Sequence, residues 1–242
     1  MIVPSSNTAF EDGARWLLAG RQDVSLHVQR VRITEINLSE EAASRFDPDV
    51  MVDTAALLAD ARPDALAWAG TAGSWLGIDH DRRIVSAVRN ATGRPTTTST
   101  LALLAACERR AVDRVGLVTP YVGEVVRRIE SVYAGAGVNV VAEEHLDITD
   151  NYAFGEVTTD RIAAMIRACA AAGADAVLVV CTNLRATGLA PPLEVELGIP
   201  VLDSITVTVE EGVALGRGAG MKAGDAGDVS GDQIQTGEPC DS

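Results

Sequence analysis

Hydrophobic and polar positions fall along this chain in two alternating kinds of block. Short apolar runs bounded by turn residues predict strands: "MIVPSS" (1–6), "HVQRVRI" (27–33), "ALAWAG" (65–70), "RVGLVTP" (114–120), "VNVVAEEHL" (138–146), "AVLVVC" (176–181) and "IPVLDS" (199–204). Between them, "MVDTAALLADA" (51–61), "TSTLALLAACERR" (98–110), "GEVVRRIESVYAGAG" (123–137) and "TTDRIAAMIRACAAAG" (158–173) carry apolar residues three and four apart. That spacing lines one face of a helix. The glycines of "AGAG" and "AAG" close two of these stretches as helix C-caps. Strands alternating with helices predict an α/β fold, a parallel sheet covered by helices.

A repeat is superimposed on this alternation. "RPDALAWAGTAGS" (62–74) and "GADAVLVVCTNLR" (173–185) align without a gap, so that Asp64 meets Asp175, Gly70 meets Cys181 and Thr71 meets Thr182, each 111 positions apart. "IVPSSN" (2–7) and "LVTPYV" (117–122) fall into register at an offset of 115. The chain therefore reads as two copies of one β/α unit. Ligands of parallel sheets bind beyond the carboxyl ends of the strands. There the halves offer "PSSN" and "GTAGS" on one side and "TPY" and "CTN" on the other. If the halves face each other, these segments meet in an interdomain cleft of hydroxyls, backbone N–H groups and one thiol. Such a lining suits a carboxylate held by hydrogen bonds rather than by an ion pair.

Composition narrows the class. The 242 residues suffice for two domains, and 47% hydrophobic content fills their cores, with aromatics at 4% making those cores aliphatic. The net charge of −14 argues against nucleic acid or an anionic membrane as partner, and leaves a small anion open. With no long apolar span and no leader-like start, the expected location is the cytoplasm. Cys107, Cys169, Cys181 and Cys240 form no CxxC pair, and His27, His80 and His145 are scattered, so no metal site is expected. Residues 217–242, rich in Gly and Asp with almost no large apolar side chain, are expected to be disordered.

Single residues stay ambiguous on their own. A strand-terminal cysteine is most often a buried structural thiol. Cys181, however, ends its strand before Thr182 and Asn183, where the free N–H groups of a turn would lower a thiol's pKa. "PSSNT" (4–8) reads equally as a turn and N-cap, Tyr121 as a core or rim aromatic, and "GTAGS" lacks the pattern of a nucleotide loop.

Taken together, "VPSSNT", "GTAGS", "TGRPTTTST" (92–100), "VGLVTPY" (115–121), "DNYAFG" (150–155), "CTNLRA" (181–186) and "LGIPVLDS" (197–204) resemble the aspartate/glutamate racemase superfamily, in its maleate cis–trans isomerase and arylmalonate decarboxylase branch. The resemblance spans about residues 1–215. It implies two pseudo-twofold-related domains, each a mainly parallel sheet flanked by helices, with the active site between them and no cofactor. The first half would be 1–98, completed by a returning helix near 204–216, and the second 99–203. Asn7 and Asn151 match residues that hold a substrate carboxylate, Thr71 and Tyr121 match hydroxyl donors of an oxyanion pocket, and Cys181 matches the second of two active-site cysteines. Gly70 departs from the racemases and isomerases, which have a cysteine there, and agrees with the decarboxylases. Ala72 stands where the decarboxylases have a serine, for which Ser74 could substitute. Thr182 completes the predicted binding set.

One thiol, with an empty glycine slot opposite, nearly excludes two-thiol racemisation, which needs a group on each face of the α-carbon. The leading expectation is a cofactor-independent lyase that decarboxylates a malonate-type dicarboxylate, with the enediolate protonated by Cys181. The alternatives are a maleate isomerase-like reaction on a small dicarboxylate and a non-catalytic carboxylate-binding paralogue. A homo-oligomer is compatible with the sequence and not required by it.

Overall fold

The structure, a computed structural model, describes residues 1–224. The first half runs β1 (Ile2–Pro4), α1 (Phe10–Leu17), β2 (Gln29–Val31), α2 (Glu40–Ser44), α3 (Pro48–Ala59), β3 (Leu66–Trp68), α4 (Gly73–Leu76), α5 (Ile78–Thr92) and β4 (Thr96–Thr98). The second runs α6 (Ser99–Arg110), β5 (Arg114–Thr119), α7 (Gly123–Gly135), β6 (Asn139–His145), α8 (Asn151–Phe154), α9 (Thr159–Ala171), β7 (Ala176–Val179), α10 (Ala190–Leu197), β8 (Val201–Asp203) and α11 (Ser204–Gly224). Each half forms a four-stranded sheet, ordered β2-β1-β3-β4 and β6-β5-β7-β8, with every pairing parallel. Displacing the strand numbers by four turns one order into the other. The predicted two-domain, pseudo-twofold α/β architecture is therefore the one observed.

Local chemistry explains the elements. The interior strands β5 and β7 are buried on both faces, which is why "VGLVT" and "AVLV" read as unbroken apolar runs rather than alternating ones. Helices begin on polar caps: the side chain of Asp47 accepts from Asp49 N ahead of α3, and that of Thr158 from Arg161 N ahead of α9. The α7 ending is a left-handed turn at Gly137 (φ +82°), where Val138 N reaches back to Tyr133 O at 2.9 Å.

Two features depart from the expected pattern. The β4 strand was not foreseen, because "TTT" has no apolar signal. It forms by pairing Leu66–Trp68 with Thr96–Thr98, and its hydroxyls are satisfied locally: Thr98 donates to Asp81 and accepts from Leu101 N. The second departure is at the C-terminus. Residues 217–224, expected to be disordered, continue α11, while 225–242 lie outside the described residues. Extending a helix already packed on α1 and α6 costs far less than starting one, so even a glycine-rich segment can follow. Arg217 is also tied to Asp23 at 3.1 Å. Helix α11 returns to pack on α1 of the first half as well as on α6, where Thr208 Oγ1 donates to Ser99 Oγ at 2.7 Å, out of solvent. Among the described residues no helix is long and apolar enough to cross a membrane.

The α9 helix lies so close to β5 that a Cβ at Gly116 would sit 2.5 Å from the Cβ of Cys169. Neither atom can swing away from its backbone, so Gly116→Ala must push the helix off the sheet. A loss of about 1–3 kcal/mol in urea-induced unfolding is expected. A change below about 0.5 kcal/mol would mean that the helix yields freely.

Candidate active site

The carboxyl ends of β1, β3, β5 and β7 converge, and the halves are joined there by hydrogen bonds rather than by apolar contact alone. Thr182 Oγ1, just beyond β7, donates to Ala69 O, just beyond β3, at 2.9 Å. Asn7 Nδ2, beyond β1, donates to Thr182 O at 3.0 Å and to Thr182 Oγ1 at 3.1 Å. Thr71 and Tyr121 share a hydroxyl–hydroxyl bond of 2.9 Å across the same junction. Gly70 and Cys181 are the residues next to the Ala69–Thr182 bond in the chain.

Cys181 is 2% exposed and lies among polar partners. Its Sγ accepts from Asn183 N at 3.3 Å. Burial pushes the thiol up to about 12, against the opposing pull of the Asn183 N–H, the Tyr121 hydroxyl and the Leu184 N–H, with the carboxylate of Asp203 adding to the rise. The expected lowering by turn N–H groups is thus present and is outweighed by desolvation. The thiol is neutral at physiological pH. Burial likewise raises Tyr121 well above its ordinary value, so it stays a protonated donor.

The two predicted carboxylate-binding amides have different partners here. Asn7 spends its amide hydrogens on Thr182, and its Oδ1 accepts from Ala9 N at 3.0 Å and Phe10 N at 2.9 Å, so it acts as a strut between the halves. Asn151 Nδ2 donates to Ser6 Oγ at 2.7 Å. Asn183, which belongs to the "CTN" segment but was not singled out, braces the junction as well. Its Oδ1 accepts from Thr8 N at 2.8 Å and Ala9 N at 3.1 Å, and its Nδ2 donates to Asn151 O. Outside this network Arg185 donates to Thr8 O at 3.0 Å and Gly155 O at 3.2 Å, clipping both loops in place.

Three further expectations need correction or qualification. Ser74 does not make good the missing hydroxyl at Ala72, because Ser74 Oγ is engaged with Thr100 Oγ1 at 3.2 Å and Tyr133 OH at 3.0 Å. The slot at Gly70 is not empty: the Trp68 indole occupies the space a side chain there would need. The cleft is shut, with Asn7, Thr71, Tyr121, Asn151, Cys181 and Thr182 all no more than 4% exposed.

Although the chain has only three each of Trp, Tyr and Phe, five of them form one edge-to-face series at this site. Centroids are 6.3 Å apart for Trp68–Phe46, 5.9 Å for Phe46–Trp75, 5.1 Å for Trp75–Tyr121 and 5.4 Å for Tyr121–Phe154. The core is aliphatic as expected, and five of the nine aromatics are gathered into this one series, which ends on Tyr121 and Phe154. Composition cannot reveal this, because the five come from distant parts of the chain. Among the described residues no group of three or more His, Cys, Asp or Glu side chains is placed to hold a metal ion.

Comparison with known proteins agrees with this geometry. The maleate isomerase of Geobacillus stearothermophilus is 26% identical over 223 residues, covering 86% of this chain and 87% of that protein. The arylmalonate decarboxylase of Bordetella bronchiseptica is 32% identical over 149 residues, 61% of this chain and 62% of the relative. Among solved structures, a maleate cis–trans isomerase variant from Nocardia farcinica, carrying a covalently bound succinylcysteine intermediate, superposes with a TM-score of 0.78 at 26% identity, over 88% of this chain and 90% of that one. Residues 29–225 match the arylmalonate decarboxylase family. Because that match begins at β2 and takes in the whole second sheet and three of the four strands of the first, the chain belongs to the arylmalonate decarboxylase family.

Proposed function

We propose that the protein is a cofactor-independent lyase that decarboxylates a malonate-type, α-substituted dicarboxylate, with Cys181 as the proton donor. The observation that carries this reading is the lone thiol at the junction, buried and held protonated. As the bond from the α-carbon to the departing carboxylate breaks, its electron pair stays on the α-carbon and spreads into the remaining carboxylate as an enediolate. The neutral Cys181 S–H is suited to protonate that carbon. The thiolate left behind is met by the Asn183 and Leu184 N–H groups, until water returns its proton. The Thr71–Tyr121 hydroxyl pair is placed to donate to the growing oxyanion. The surrounding rings of Trp75 and Phe154 supply an apolar compartment in which a carboxylate loses its hydration and CO₂ is the favoured leaving form.

The second reading, a maleate-type cis–trans isomerisation, is favoured by the long match to maleate isomerases and by the "CTN" segment. It needs a thiolate that adds to a double bond before the central bond rotates. A thiol pushed up to about 12 offers little thiolate at neutral pH, and Gly70 supplies no second one.

CO₂ release from α-substituted malonates and maleate-to-fumarate conversion, assayed side by side, discriminate the two. Decarboxylation in the wild type with a loss of about 10²–10⁴-fold in Cys181→Ala is expected. Fumarate formation without CO₂ would establish the isomerase instead, and tight binding with neither product a carboxylate sensor. Tyr121→Phe is expected to lower kcat by about 10²-fold, since one oxyanion donor is lost.

The thiol's protonation gives a separate check. With its pKa raised to about 12, Cys181 keeps its proton up to that pH and loses it only above. The rate is therefore expected to show no alkaline fall from this group between pH 7 and 10. Peptide mapping after iodoacetamide treatment at pH 8 should leave Cys181 unmodified, the thiolate being on the order of one part in 10⁴. Alkylation as fast as that of a free thiol would overturn the neutral-donor assignment.

A further inference from the structure

The Trp68 indole and a side chain at position 70 exclude each other. A Cβ on Gly70 would lie 2.2 Å from Cζ2, 2.4 Å from Cε2 and 2.9 Å from Cη2 of that ring. Carbon atoms in ordinary contact stand about 3.5–4 Å apart. Gly70 is thus what allows the indole to sit where it does. Cε2 carries Nε1, so the ring edge beside Gly70 is the one that bears the N–H.

That N–H is buried and has no hydrogen-bond partner, in a side chain only 1% exposed. Buried indole N–H groups are normally paired, so an orphaned one calls for an acceptor. The indole is not free to turn toward solvent, because it sits in the core with Phe46 packed edge-on at 61°. The Ala69–Thr182 bond of 2.9 Å sets Ala69, which stands between Trp68 and Gly70 in the chain, against the residue that follows Cys181. Beside the Thr71–Tyr121 hydroxyl pair, the other predicted positions offer little: Ala72 has no hydroxyl, Ser74 is engaged with Thr100 and Tyr133, and the amides of Asn7 and Asn151 donate to Thr182 and Ser6.

We propose that Trp68 is a binding and specificity-determining residue of this site. Its Nε1–H donates to a carboxylate oxygen of a small dicarboxylate held between Gly70 and Cys181, while its ring closes the face opposite the thiol to a second proton donor. This rests on the reading of the junction as a dicarboxylate site. The ring accounts for one-faced protonation by occupancy as well as by the absence of a second cysteine. It also fills space at Gly70 that an α-substituent would otherwise use, so bulk on the substrate must lie on the other side.

The test uses the full chain with Cys181→Ser to prevent turnover, labelled with ¹⁵N at its three tryptophan side chains. Malonate and maleate are titrated while the indole N–H resonances are followed. Trp68→Phe identifies the Trp68 signal; if that variant does not fold, Trp16→Phe and Trp75→Phe identify it by elimination. The expected result is a saturable downfield shift of the Trp68 N–H, with about tenfold to hundredfold weaker dicarboxylate binding in Trp68→Phe. Saturable binding with an unmoved Trp68 resonance would overturn the inference and leave the decarboxylase reading standing. Failure of both wild type and Cys181→Ser to bind any dicarboxylate would overturn both.

Discussion

The bond from the Thr182 hydroxyl to the Ala69 carbonyl is the constraint on which the site depends. Each half is a complete four-stranded sheet with its own helices, and nothing in either sheet alone dictates how the two should meet. The tips of β3 and β7 are brought together by this buried bond, and Asn7 and Asn183 brace it from β1 and from the turn after Cys181. Buried polar groups that find partners only across a junction favour one docking geometry, because any other leaves them unpaired. The position of the thiol relative to Tyr121, Thr71 and Trp68 follows from that docking.

A consequence is that the electrostatics of Cys181 are set by closure. The two N–H groups of the turn would make it more acidic in an open site, yet with both halves packed over it desolvation dominates and the proton stays on sulfur. The same closure keeps the Tyr121 hydroxyl protonated and surrounds it with Trp75 and Phe154. A neutral acid, hydroxyl donors and an apolar wall belong to one compartment because one event, the docking of the halves, excludes water from all of them.

Much of the architecture was legible in the sequence. The interior strands were plain, since parallel strands buried on both faces are nearly continuous in Val, Leu and Ala, and the repeat that aligns Gly70 with Cys181 carried the pseudo-twofold. The β4 strand was not legible, because "TTT" owes its conformation to β3 and to the Asp81 carboxylate beneath it. Residues 217–224 misled for the opposite reason: their composition favours disorder, and a helix nucleated and packed upstream overrides it.

For the site itself, the sequence alone determined which chemistry was available: one thiol at a strand end, a glycine at the matching position, hydroxyls and amides at the other strand ends, and no basic residue among them. These follow from residue identity and from the rule that the carboxyl ends of parallel strands share one edge. Only the tertiary structure decided how that chemistry is deployed. That Asn7 is a strut, that Ser74 faces Thr100 and Tyr133, that Trp68 fills the slot at Gly70 and that the thiol keeps its proton all depend on contacts between residues tens of positions apart or on side-chain direction. Neither a pattern of apolar positions nor a motif contains those distances, because they are fixed when the two sheets pack and water leaves the space between them.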